Sequence, residues 1–74
     1  MPKLPVVSGH EAVKRFEALG YKVIRIRGSH IRMKYKDTSR DPLTIPNHAT
    51  LGKGLLRKLL RDAHITVSEF QQLR

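Results

Sequence analysis

Gly28-Ser29-His30 is the segment whose residue types could do chemistry, because its imidazole stands between two short apolar runs and among cations. Lys22, Arg25, Arg27, Arg32, Lys34 and Lys36 surround it, and no acid interrupts residues 21–36. An imidazole titrates near neutrality, so it can both take and give a proton there. Neighbouring guanidinium and ammonium groups stabilise negative charge that builds up on phosphorus. Proton transfer beside a cluster of cations points to chemistry on a phosphate.

The whole chain carries the same bias. It has 74 residues, with 15 Lys plus Arg against 6 Asp plus Glu and a formal charge of +9. That balance selects a polyanionic partner: nucleic acid first, then an acidic protein or an anionic membrane surface. A single domain spanning residues 1–74 accounts for the length, since folding a chain this short buries only about 60% of its unfolded surface. It leaves no room for a cofactor cavity, and no cofactor is expected. The absence of cysteine removes disulfides and thiolate metal sites and fits a reducing compartment, so the cytoplasm is the expected location. Residues 1–7 are interrupted by Pro2 and Pro5, so no signal peptide is expected there, and no run approaches the length of a membrane span.

The elements that must position the histidine are legible from spacing. Ser8-Gly9-His10-Glu11 has the form of a capping box, and Ala12, Val13, Phe16 and Leu19 follow on one stripe until Gly20. This predicts a helix over Gly9–Leu19 with a glycine cap. Residues 21–27 then alternate, Ile24 and Ile26 on one side and Val23, Arg25 and Arg27 on the other, which predicts a strand. Gly28-Ser29 suits a type II′ hairpin turn. A second strand over residues 30–36 points Ile31, Met33 and Tyr35 one way and His30, Arg32, Lys34 and Lys36 the other. Residues 37–42 read as a loop. Leu43-Thr44-Ile45 reads as a third strand that Pro46 ends, a feature of sheet edges.

A second helix is expected over residues 52–63, with Leu51, Leu55, Leu56, Leu59, Leu60 and Ala63 on its apolar side and Lys53, Arg57 and Arg61 on the outer side. Its leucines occupy adjacent rows, so one edge is expected to stay open to a protein partner. Thr66-Val67-Ser68-Glu69 repeats the capping box and predicts a short third helix carrying Phe70 and Leu73. The expected class is α+β, in which two helices pack on one face of a three-stranded antiparallel sheet and leave the other face open. Strand parity puts His30 and its cations on the open face if the hairpin register holds.

Taken in order, these motifs resemble the HicA-type toxins of bacterial and archaeal toxin-antitoxin pairs. Gly20-Tyr21 matches the family's Gly-aromatic start of the first strand, Arg25 to His30 its Arg-x-x-Gly-Ser-His, and Ile45-Pro46-x-His48 its apolar-Pro-x-His. Lys53-Gly54-x-Leu56 through Leu60, then Glu69-Phe70, match its second helix and tail. The resemblance covers nearly the whole chain. It implies a double-stranded-RNA-binding-domain-like fold, endoribonuclease activity against mRNA with His30 as the catalytic residue, and neutralisation by a HicB-type antitoxin. Two positions depart from the pattern. His64 stands where the family usually has Gly, a less comfortable left-handed cap, and Ile31 follows the histidine where an aromatic or a second His is common.

RNA cleavage requires a base for the 2′-hydroxyl proton, which is the expected role of His30. Arg25, Arg27, Arg32 and Lys34 are expected to hold the RNA backbone. Gly28 would let a phosphate approach and Ser29 would donate to it, beside their part in the turn. His48, in the connector to the second helix, and Lys53, at that helix's start, are further candidates because helix N-termini favour anions. No acidic cluster or His-x-x-x-His spacing assembles a metal site, so cleavage is expected to survive chelators. The alternative is a non-catalytic module that reads double-stranded RNA through phosphates and 2′-hydroxyls. A subunit that merely binds an acidic protein explains the charge but gives the turn histidine no role.

Overall fold

Ser8 caps α1 (Gly9–Leu19) as its spacing predicts: its Oγ accepts the Glu11 N–H at 3.0 Å, and the Glu11 carboxylate accepts the Ser8 N–H at 3.3 Å. Thr66 and Glu69 repeat the pair at α3 (Val67–Gln72). Hydrogen bonds from Thr66, its backbone N–H foremost, hold the Glu69 carboxyl below the usual carboxylate range. Between these helices, the computed structural model, which describes residues 3–73, has β1 (Lys22–Arg27), β2 (His30–Lys34), β3 (Leu43–Pro46) and α2 (Lys53–Ala63). The strands form one antiparallel sheet in the order β1-β2-β3, so Pro46 does lie on an edge strand.

Both helices cover one face. Met33, Leu43 and Ile45 of the sheet are buried with Ala12 and Phe16 of α1, Leu56, Leu59 and Leu60 of α2, and Phe70 of α3. Phe16 is central to this core, with its ring 5.8 Å from Tyr21 and 5.3 Å from Phe70. Gly9 lets α1 start against the end of β3: its N–H donates to the His48 carbonyl at 2.9 Å, and a Cβ there would overlap the Pro46 carbonyl oxygen. Gly9→Ala is expected to cost about 1–3 kcal/mol as an overpacked contact with rigid backbone, read as a lower melting temperature.

The alternation expected over residues 21–27 is broken in β1. Val23 pairs with Met33 and Arg25 with Arg32, so Ile24 is an extra residue in a β-bulge. A one-residue slip turns a side chain to the opposite face, and Val23 therefore shares the helix side with Ile26 rather than the open side with Arg25 and Arg27. The helices also fail to bury this strand. They contact β3, and α1 also meets β1, yet all six β1 residues stay exposed, with Ile24 at 56% and Ile26 at 65%. The exposed partner edge expected on α2 does not form, because Leu55 is half-buried against the core and none of the α2 leucines belongs to the exposed large apolar side chains of the described residues.

α2 ends as a glycine-capped helix would, although the cap is His64. Its backbone is left-handed, at φ 59°, and the Ile65 N–H reaches back to the Leu60 carbonyl at 3.1 Å. The loop before β3 closes the same helix end. Arg40 donates to the Ala63 carbonyl at 2.6 Å, and the Asp41 N–H donates to the Asp62 carbonyl at 2.8 Å. The Tyr21 hydroxyl donates to the Asp41 carbonyl at 2.7 Å, and burial pushes its phenol up to about 12 against the opposing charge of Arg40. The unfolded phenol ionises near 10, so between these values the unfolded chain loses its proton first and stability falls as pH rises. Tyr21→Phe is expected to cost about 0.5–1.5 kcal/mol at neutral pH and to flatten that alkaline loss, as denaturant titrations at several pH values would show.

Candidate functional site

Gly28 takes φ 58° while Ser29 does not adopt positive φ, the sign pattern of a type II′ turn. The turn sets Arg27 directly opposite His30. It is also anchored from the other side. The Ser29 carbonyl accepts the Asn47 N–H at 2.6 Å, and His30 pairs with Pro46 across β3. The hairpin tip is therefore held by β1, by the end of β3 and by the connector that Gly9 fastens to α1.

Parity then assembles the open face. His30, Arg32 and Lys34 project to it from β2. Arg25 lies opposite Arg32 on one side and Thr44 opposite it on the other. Arg25, Arg27, His30, Arg32 and Thr44 line a depression of about 210 Å³. Arg32 donates through an Nη to the Thr44 Oγ1 at 2.8 Å, which ties its guanidinium to β3. His30 is exposed, and the described ion pairs, Lys58 with Asp62 and His64 with Asp41, lie outside the depression. The three arginines thus keep their charge available for an anion. Thr44 is not among the expected site residues, although its place between inward Leu43 and Ile45 signals an outward side chain.

The remaining candidates separate. Gly28 and Ser29 form the tip, and a Cβ at Gly28 would meet open space, so a ligand can approach the backbone there. Lys34 shares the face but lines a neighbouring depression with Lys22 and Ile24. His48 is exposed in the connector, where its carbonyl is engaged by Gly9. Lys53, the first residue of α2, lines another depression with Lys3, Leu4 and Arg57. Ile31 turns to the helix side and is half-buried, so it offers no stacking surface beside His30. Among the described residues, no group of three or more His, Asp or Glu is placed to hold a metal ion.

The family model described as the HicA toxin of bacterial toxin-antitoxin systems matches residues 9–65. The chain belongs to the HicA toxin family. No curated protein and no solved structure matches it. In this HicA-family toxin the matched span runs from the first residue of α1 to just beyond α2 and contains every residue that lines the His30 depression. α3 follows the span and contributes Phe70 to the core. Among the described residues, no helix is long and apolar enough to cross a membrane.

Proposed function

We propose that this HicA-family toxin is a metal-independent endoribonuclease that binds mRNA across the open sheet face and uses His30 for proton transfer. The observation that supports this most is the exposed imidazole directly opposite Arg27, in a depression lined by two further guanidinium groups and no carboxylate. His30 accepts the proton of a ribose 2′-hydroxyl as that oxygen attacks the adjacent phosphorus. The bond from phosphorus to the 5′-oxygen breaks, and the leaving oxygen takes a proton from the imidazolium or from water. Arg25, Arg27 and Arg32 neutralise charge on the non-bridging oxygens as it develops. Gly28 and Ser29 bring the turn backbone and a hydroxyl to a phosphate, while Lys34, His48 and Lys53 serve flanking nucleotides. A HicB-type antitoxin neutralises the toxin, and both work in the cytoplasm.

This chemistry leaves a 2′,3′-cyclic phosphate on one fragment and a 5′-hydroxyl on the other. Purified protein is expected to cut end-labelled RNA in the presence of a chelator and to leave those termini. A requirement for a divalent cation, or intact RNA at every pH, would overturn the reading. Salt-dependent binding without turnover would instead identify an RNA-binding module.

A further inference from the structure

Among the described residues, the exposed large apolar side chains other than Val6, which precedes α1, all belong to β1: Val23, Ile24 and Ile26. Among the described residues, β1 has a strand partner on one side only, and it is the longer edge strand, since β3 has four residues and ends in Pro46. Ile26 is 65% exposed on the helix side, with Val23 beside it. An open edge with exposed apolar side chains is a template for a strand from another chain. The charge on β1 selects that chain. Lys22, Arg25 and Arg27 are its charged residues and no acid accompanies them, so a second copy placed edge to edge would set cation against cation, whereas an acidic strand would pair them.

We propose that the β1 edge is the docking strand for an acidic protein partner, which adds an extended segment of alternating carboxylate and apolar residues as a fourth strand. Its apolar side chains cover Val23 and Ile26, and its carboxylates face Arg25 and Arg27. The bulge at Ile24 interrupts regular pairing, so the docked segment centres on residues 25–27. This inference rests on the proposed function for its consequence: the docked carboxylates neutralise two of the guanidinium groups that flank His30, so partner and RNA exclude one another. Strand addition gives affinity through the backbone and specificity through the alternate side chains.

The test uses short synthetic peptides and the whole chain. A peptide alternating Glu and Val is expected to slow amide exchange at residues 22–27 and to displace labelled RNA. A peptide alternating Glu and Ser, of equal charge, is expected to bind at least about tenfold more weakly, because it cannot cover Ile26. Ile26→Ser is expected to weaken the Glu-Val peptide by a similar factor and leave RNA cleavage unchanged. Equal affinity for the two peptides, protection along Lys53 and Arg57 instead of β1, or dimerisation of the chain through β1 would overturn the inference. Peptide protection of β1 is read without any cleavage, so a chain that docks the peptide but leaves RNA intact loses the ribonuclease reading and keeps this one.

Discussion

His30→Ala is expected to reduce the single-turnover rate of RNA cleavage by about 10² to 10⁴, the range for loss of a positioned proton-transfer group. RNA affinity is expected to fall only modestly, because Arg25, Arg27 and Arg32 still line the depression. The fold is expected to survive as well. His30 is exposed, and surface substitutions of this kind usually change stability by no more than about 0.5 kcal/mol. Cleavage, filter binding and melting temperature measured on the same preparations separate these effects. Induced expression in cells gives a second readout, in which the wild-type chain arrests growth and the variant does not. A variant that cuts at the wild-type rate removes His30 from the mechanism.

Phe16→Ala is expected to destabilise the protein by about 3–5 kcal/mol, the usual result of truncating a buried phenylalanine. Phe16 is fully buried, and its ring touches Tyr21 at the start of the sheet and Phe70 of α3. Aromatic pairs of this kind add about 0.5–1.5 kcal/mol beyond area burial. The loss is large for so short a chain, whose total stability is roughly 4–11 kcal/mol at ~0.05–0.15 kcal/mol per residue. Denaturant titration is expected to show a much lower midpoint, with cleavage lost as the fold melts. α3 is held by the same ring, and Arg15 donates to the Phe70 carbonyl at 3.2 Å, so α3 is expected to detach early in the variant. An unchanged midpoint would show that the packing between α1 and α3 does not hold the core.

Local interactions made much of this protein legible from its residues. The Ser8-Glu11 and Thr66-Glu69 boxes close within four residues, so the helix starts fell where the spacing placed them. The two-residue hairpin at Gly28-Ser29 and the outward parity of His30 and Arg32 on β2 depend only on turn chemistry and alternation. For the same reason the heart of the candidate site could be named from the sequence. The separation of Lys34 and Lys53 from that site could not be read that way, because Lys22 and Ile24 of β1, and Lys3 and Leu4 before α1, line their depressions.

The tertiary structure decided the rest. The bulge at Ile24 arises from the pairing of Val23 with Met33 and of Arg25 with Arg32, and no pattern within β1 announces it. His64 accepts a left-handed backbone at a helix end that Arg40 closes from the loop before β3. Ile26 looks like a core residue by parity and is exposed because the helices do not cover the edge of the sheet. Alternation determines which side chains of a strand share a face. Whether that face meets a helix, a partner or water is a relation between surfaces far apart in the chain, and only the packed molecule sets it.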